Sequence, residues 1–481
     1  MSANNGHGSR SQALVSDFIR LAAFPIYDRR DRSDSSRYLR DLRALEYVPL
    51  EHLERLQWQR LKLLLEHAAK NIPYYCDVFG KQDISVQDIR CAADLRRLPI
   101  LAKKDLQHNA QALLAKGIPA NKIRSNATGG STGTPVQFFQ DGSYWAWAKA
   151  SQRFVESWWG IRAGDRTAAI WGCDRDLSQQ SWKERLHSAL QQMRTCNAFA
   201  LTPAEMHQFA AMLASWQPRF VIGYASALEV FATFLALRPD LHIRPHAVKS
   251  TAEMLTERQR ETIEKAFKAP VFNFYGSREI NNLAAECALR KGLHINSFCR
   301  FVEIVDDAGR PVEAGTPGRI VVTDLTNFAM PFIRYETGDL GVWADRPCPC
   351  GRPFPLLAEL LGRKSDFIVA PSGKLIHGEF FTHLFYDAPQ VANFRVNQIE
   401  LDRLQVHIVL RAGVTAYDST AIRQRITRAM GDGVTCEVIV VDSVERTASG
   451  KHRFTVSNVP VNWDFGRSGS AKEKMVRGNG D

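Results

Sequence analysis

The chain has 481 residues, of which 45% are hydrophobic, 10% aromatic and 23% charged. That balance excludes wholesale disorder, collagen and coiled coil, and the length exceeds what one compact core organises, so a large domain and a smaller one are expected. The 62 Lys and Arg against 51 Asp and Glu give a formal charge of +11, which suits anionic small molecules. Acidic residues nevertheless interrupt every basic stretch, Arg29 to Arg43 included, so no path for a phosphate backbone exists and nucleic acid is not an expected partner.

In chain order, the opening MSANNGHGSRSQ lacks the apolar core of a signal peptide, and LVSDFIRLAAF reads as an amphipathic helix docked on the protein's own surface. No run approaches the roughly 20 apolar residues of a membrane span. With nine cysteines, an odd number, reduced thiols in a cytoplasmic protein are the expectation. From Leu53 to Phe79 the apolar spacing predicts a helix that stops at Pro73. A Gly-rich stretch from Ser125 to Thr134 precedes VQFFQD. Next, YWAWAKASQRFVESWW predicts a long buried helix leading to the strand TAAIWG. Strands at RFVIGYA, HAVKSTAEM, PVFNFYG and RIVVTDL, separated by helices at AEMHQFAAMLASW and ERQRETIEKAFK, argue for α/β layering. After Gly362 the elements shorten: FIVAP, KLIHGEF, a helix around FFTHLFYD, then strands at NFRVNQ, LQVHIVL and CEVIVVD. The expected organisation is a large domain over 1–362, a small α+β domain over 363–463 and a disordered tail over 464–481.

Five strings carry chemistry. Thr128-Gly129-Gly130-Ser131-Thr132-Gly133-Thr134-Pro135 lets backbone amides approach an anion while hydroxyls add donors; a flexible linker is the plainer reading. Asn273 to Glu279 ends a strand with an aromatic ring, a Gly turn and a carboxylate, the pieces to cover a purine and hold a divalent metal between phosphates. A core tyrosine before a surface Glu would look the same. In Phe332 to Asp339 an Asp follows a Gly, where a short carboxylate accepts ribose hydroxyls or simply forms a turn. Gly362-Arg363-Lys364-Ser365-Asp366 falls where the composition changes and suits a hinge. Glu445 to Lys451 ends a small-residue loop in a lysine that, taken alone, is a solvated charge. Separately, Cys348-Pro349-Cys350-Gly351 spaces two thiols to share a metal.

In this order the strings resemble the adenylate-forming superfamily, which includes acyl-CoA synthetases. The likeness is greatest to its phenylacetate-CoA ligase-like branch, particularly members associated with capsule or exopolysaccharide biosynthesis, through NIPYY, TGGSTGTP, NFYGSRE, LTNFAMPFIRYETGDLG, CPCGR and ASGKHRF. The resemblance implies an α/β fold: a large N-terminal adenylate-forming domain of layered sheets and helices, plus a small mobile α+β C-terminal domain. It implies ATP-dependent conversion of a small carboxylic acid to an acyl-adenylate, then transfer to a thiol, most often that of coenzyme A. By it, Thr128, Gly129, Gly130, Ser131, Thr132 and Gly133 hold ATP phosphates; Tyr275, with Gly276 and Ser277 beside it, stacks on adenine; Glu279 binds Mg²⁺; Asp339 and Arg363 contact ribose. Lys451 is the catalytic lysine delivered by the small domain, whose rotation exchanges it for a thiol-delivering face around Gly378. Two departures stand out: Val136 replaces the usual Lys, and Ser365 stands where many relatives carry the hinge Asp.

The branch also includes members with a structural Zn²⁺, implying Cys287, His294, Cys348 and Cys350 as ligands, with Cys299 as a substitute. Trp171, Tyr224 and Ala252 are candidate acid-pocket residues with no specificity role assigned. The acid and the oligomeric state stay open. Two alternatives stand beside the main reading: transfer to an amine, hydroxyl or carrier protein, and a noncatalytic nucleotide-binding scaffold.

Overall fold

The computed structural model describes residues 15–23, 26, 33–127, 137–171, 192–198, 201–363, 367–372, 375–377, 380–381, 384–385, 388–431, 433–444 and 454–459. The Gly-rich string from Thr128, the hinge pair Ser365 and Asp366, Gly378, Lys451 and the tail from Asp464 lie outside them.

The predicted N-terminal helix resolves into two. Leu50–Asn71 buries Leu53, Leu61, Leu64, Leu65 and Ala68 along one stripe. Pro73 does not merely end it, but takes the first position of a second helix, Pro73–Lys81, where its missing N–H costs nothing. Tyr75 from that second helix is buried, donating to the Pro331 carbonyl and accepting from the Ile333 amide at 3.0 Å each. It ties the helix to the FIRYETGD segment. Arg334 makes a second tie: its guanidinium binds the Leu98 and Gly309 carbonyls and, at 3.1 Å, both oxygens of Glu303.

The hairpin β1 (Ile123–Ala127) and β2 (Gln137–Asp141) is antiparallel and leads into the helix Gly142–Trp158. Asp141 caps that helix by accepting from Tyr144 N at 2.8 Å.

Among the described residues, eleven strands form the main sheet. Its parallel part is β3 (Thr167–Ile170), β4 (Met193–Cys196), β5 (Phe220–Tyr224), β6 (Ala247–Thr251) and β7 (Val271–Tyr275). Helices Pro203–Trp216, Ala225–Ala236 and Glu257–Phe267 pack on Ala168, Val221, Val248 and Val271. The helix Gly142–Trp158 places Val155 on Phe220, Ala247, Phe272 and Phe274. Neighbouring residues of β5, β6 and β7 thus face opposite helix layers, which is why these strands read as nearly continuous apolar runs.

The antiparallel part adds β8 (Ala284–Glu286), β9 (Leu293–Ile295), β10 (Arg300–Val305), β11 (Pro317–Asp324), β12 (Tyr335–Trp343) and β13 (Leu356–Arg363). The sheet order is β10-β11-β12-β13-β9-β8-β7-β6-β5-β3-β4.

Beyond Arg363, β14 (Phe367–Val369) and β15 (Leu375–His377) form a small pair. A four-stranded sheet of order β18-β17-β16-β19 follows, built from β16 (Val391–Glu400), β17 (Arg403–Leu410), β18 (Thr435–Val440) and β19 (Thr455–Ser457). The helix Thr420–Met430 packs Ile422 and Ile426 with Val396, Val406 and Ile408 of that sheet. This segment has its own apolar cluster, as the α+β pattern of the sequence predicts.

Candidate active site

Ligand sites in layered α/β folds gather beyond the carboxyl ends of the strands. The candidate residues here collect at the end of β7, where it meets β12 and β13. Tyr275 closes β7 and is 9% exposed. Its hydroxyl donates to Asp339 Oδ2 at 2.7 Å and lies 3.4 Å from Thr337 Oγ1. Thr337 in turn accepts from the Asp339 amide at 3.1 Å and donates to the Ile320 carbonyl. Gly338, with φ +82°, lies where the β11–β12 register shifts, the bulge that brings Asp339 onto this face. Register pairs Asp339 with Arg363 across β12 and β13, and Arg363 Nε lies 3.8 Å from Asp339 Oδ1. Burial, followed by the Asp339 charge, pushes the Tyr275 phenol well above its ordinary range, so it stays a hydrogen-bond donor.

Glu279 stands on the loop after β7. Gly276 permits that loop: a Cβ there would meet the Asn282 amide at 2.8 Å. Ser277 N bonds the Ile280 carbonyl at 2.9 Å and Ser277 Oγ accepts from Ile280 N at 3.1 Å, so the turn is closed on itself.

Two residues that sequence reasoning passed over join this group. Leu101 forms a parallel bridge with Tyr335, its amide bonding the Arg334 carbonyl at 2.9 Å and its carbonyl taking the Glu336 amide at 3.0 Å. This tether brings Lys103, at the start of the helix Lys103–Asn109, into the field of Glu279 and Arg363. Burial lowers the Lys103 ammonium pKa, Glu279 opposes that shift and Arg363 reinforces it. Tyr335 is raised by burial, then by Glu279 and Asp339. The KKD string containing Lys103 offered no signal, because a lysine pair at a helix start in a chain this basic is ordinary surface. Of the candidates, then, Tyr275, Glu279, Asp339 and Arg363 come together, while Thr128 to Gly133 and Lys451 lie outside the described residues.

Trp171 and Tyr224 follow β3 and end β5, with ring centroids 4.4 Å apart. Ala252 sits just past β6 at φ +68°. All three pack against one apolar cluster between sheet and helices.

The four thiol and imidazole candidates also converge. Cys287 leaves β8 and His294 lies on β9. The hairpin between them needs Gly292, whose φ is +134° and whose Cβ would meet the Leu357 carbonyl at 2.4 Å. Register sets His294 opposite Leu356 of β13, while Gly351 at φ +79° turns the CPCG segment. Ligand atoms of Cys287, His294, Cys348 and Cys350 lie within 4.8 Å of one another. The Cys287–Cys348 sulfur separation is 3.7 Å and Cys350 Sγ to His294 Nε2 is 3.4 Å. Zn–S and Zn–N bonds of about 2.3 and 2.0–2.1 Å at tetrahedral angles give edges of roughly 3.7 and 3.5 Å, so the set fits Zn²⁺. His294 Nδ1 faces the Phe354 carbonyl at 3.3 Å, which leaves Nε2 for a metal.

Burial pushes the Cys348 thiol up to about 12 and the His294 imidazole down to about 4. Desolvation also opposes the Cys350 thiolate, but hydrogen bonding from Arg352 and Cys348 outweighs it and lowers that pKa. Cys299 is corrected as a substitute ligand: it is buried beside Ser151, Phe154 and Leu42, with its sulfur 3.5 Å from Ser151 Oγ. The β9-to-β10 turn carries it away from the cluster.

The fold is that of the adenylate-forming enzymes. A 2-hydroxyisobutyryl-CoA ligase in its postadenylation state, in complex with R3-HIB-AMP, matches with a TM-score of 0.68 at 22% identity over 86% of this chain and 91% of that one. The same ligase with 2-HIB-AMP and CoA in the thioesterification state gives 0.58 at 21% identity, over 86% and 91%. In sequence, residues 368–458 match the CapK C-terminal domain family. Protein CapK of Staphylococcus aureus is 24% identical over 411 residues, 84% of this chain and 89% of that protein. The phenylacetate-coenzyme A ligase of Thermus thermophilus is 28% identical over 335 residues, 68% of this chain and 73% of the ligase. The chain is thus homologous to Protein CapK and to phenylacetate-CoA ligases, the kinship its motifs predict.

Proposed function

We propose that the chain is an AMP-forming carboxylate-CoA ligase. The observation that carries this reading is the meeting of Tyr275, Asp339 and Arg363, with Glu279, Lys103 and Tyr335 as their charged and phenolic neighbours, at one end of the sheet. A carboxylate is a poor electrophile, because its carbonyl shares the anionic charge. Attack of a carboxylate oxygen on the α-phosphorus of ATP forms a C–O–P anhydride and breaks the bond to pyrophosphate. A thiolate then attacks the acyl carbon, and AMP leaves.

Asp339 accepts the ribose hydroxyls, held in aim by the Tyr275 hydroxyl, while Arg363 adds a donor and the Tyr275 ring stacks on the base. Lys103 contributes positive charge beside Glu279 and Arg363. One carboxylate plus phosphate oxygens is a donor set that suits Mg²⁺, and Glu279 supplies that carboxylate. When bound, Mg²⁺ neutralises phosphate charge. Lys451, from the small domain, stabilises the charge that builds during acid attack. Cys287, His294, Cys348 and Cys350 would hold a structural Zn²⁺, which would staple the β8–β9 hairpin to the loop before β13 rather than take part in the chemistry.

A second reading keeps adenylation but passes the acyl group to a hydroxyl, an amine or a carrier protein in polysaccharide assembly. Among the described residues no helix is long and apolar enough to cross a membrane, and we place the enzyme in the cytoplasm, where ATP and coenzyme A are available. The test is a panel of carboxylic acids screened for pyrophosphate release, then mass spectrometry for acyl-CoA with the responding acid. Release of pyrophosphate without acyl-CoA selects the second reading, and no release with any acid rejects both.

A further inference from the structure

Three buried side chains, to which the proposed chemistry gives no part, grip the loop that carries Glu279. Gln140 Nε2 donates to the Arg278 carbonyl at 3.0 Å and approaches the Glu279 carbonyl at 3.5 Å. The Tyr144 hydroxyl donates to the Glu279 carbonyl at 3.3 Å and accepts from the Asn281 amide at 2.9 Å. Arg300 Nη2 donates to the Asn281 carbonyl at 2.8 Å, its guanidinium fixed in turn by Asp324 at 2.7 Å. Gln140, Tyr144 and Arg300 are each 0% exposed, so no water competes for these bonds.

The Tyr144 hydroxyl spends both its donor and an acceptor position on the loop, and burial raises its pKa so that it keeps its proton. Its own backbone is fixed as well. Asp141 Oδ1 accepts from Tyr144 N at 2.8 Å, and Asp141 Oδ2 accepts the Phe328 and Ala329 amides at 2.9 and 3.1 Å. Gln140 and Tyr144 follow the Gly-rich string within one short strand and one helical turn. The segment that directly follows the Gly-rich string in sequence therefore clamps the candidate metal-ligand loop.

We infer that Tyr144 is a positioning residue for the metal step: through the Glu279 carbonyl and the Asn281 amide it fixes the direction in which the Glu279 carboxylate is presented to the Mg²⁺ of ATP. This rests on the reading of Glu279 as the metal ligand. Removing the hydroxyl takes a partner from the part-buried Asn281 amide and lets the loop relax, and partners of this kind change metal affinity by roughly 10- to 100-fold.

The experiment is calorimetric titration of the full chain with ATP, with and without MgCl₂. Tyr144→Phe keeps the ring and is expected to reduce the magnesium-dependent gain in ATP affinity by roughly tenfold, with metal-free ATP affinity and melting temperature at wild-type values. Should Tyr144→Phe lower the melting temperature, Gln140→Met, which removes the adjacent donor to the same loop, carries the comparison. An undiminished magnesium gain in a folded variant overturns the inference. Glu279→Gln separates the two layers. Persistence of the gain there overturns the metal-ligand reading itself; its loss there, with none in Tyr144→Phe, overturns only the positioning role.

Discussion

At the scale of single residues, the site is a set of short polar contacts whose removal has distinct signatures. Asp339→Asn keeps the shape but weakens an acceptor that already holds Tyr275 at 2.7 Å. With charged hydrogen bonds contributing about 1.5–3 kcal/mol, the KM for ATP is expected to rise roughly 10- to 100-fold, and steady-state kinetics at saturating acid checks it. His294 gives a pH signature. Its imidazole, buried and pushed down to about 4, is neutral in the fold and protonates near 6.5 when unfolded. A lowered base pKa means that the unfolded state binds the proton first, so the contribution of His294 to stability is constant above pH 6.5 and falls as pH drops towards 4. In metal-free protein the loss should reach about 3 kcal/mol, seen as a melting temperature that falls over that window in the wild type and stays flatter in His294→Gln. A residue-scale contact such as Tyr275 to Asp339 was not legible in the sequence, where 64 positions separate them. The types of residue were legible; their pairing is set by the β7–β12–β13 end of the sheet.

Among the elements, the strands and helices announced themselves through period. PVFNFYG, RFVIGYA and RIVVTDL became β7, β5 and β11 because apolar runs flanked by turns suit strands covered on both faces. Pro73 misled only in part: it marks the end of one helix and the first position of the next. Lys103 escaped notice because its place depends on a single bridge between Leu101 and Tyr335, a long-range pairing with no local signature. Arg334, read at first as one letter of a motif, joins Glu303 to the Leu98 and Gly309 carbonyls while 2% exposed, at φ +54°. Arg334→Met strands the Glu303 carboxylate in the interior, and breaking a buried pair costs about 3–5 kcal/mol. Urea denaturation should show that loss; a change under 1 kcal/mol would mean water reaches Glu303. At the cysteine cluster, one zinc per chain is expected by atomic absorption, lost in Cys348→Ser, with a lower melting temperature and an intact acid preference.

At the scale of the whole molecule, the two proposed half-reactions would place different demands on one acyl carbon: positive charge during adenylation, an open approach for a thiol afterwards. The segment beyond β13 has a separate apolar cluster, and on the proposed chemistry this small unit would serve each step in turn. The α/β layering and the second cluster were readable from periodicity. The acid was not, since Trp171, Tyr224 and Ala252 are also ordinary packing residues. Lys451→Ala is predicted to halt acyl-adenylate formation yet convert a chemically prepared acyl-adenylate and coenzyme A to thioester near the wild-type rate, measured by mass spectrometry.

The most direct measurement is acid-dependent exchange of labelled pyrophosphate into ATP across a panel of aromatic and aliphatic acids, run side by side on wild type and Lys451→Ala. The account predicts exchange with at least one acid in the wild type and a drop of at least a hundredfold in the variant, about 3 kcal/mol of barrier. Exchange of equal speed in both proteins, or none with any acid in the wild type, contradicts it.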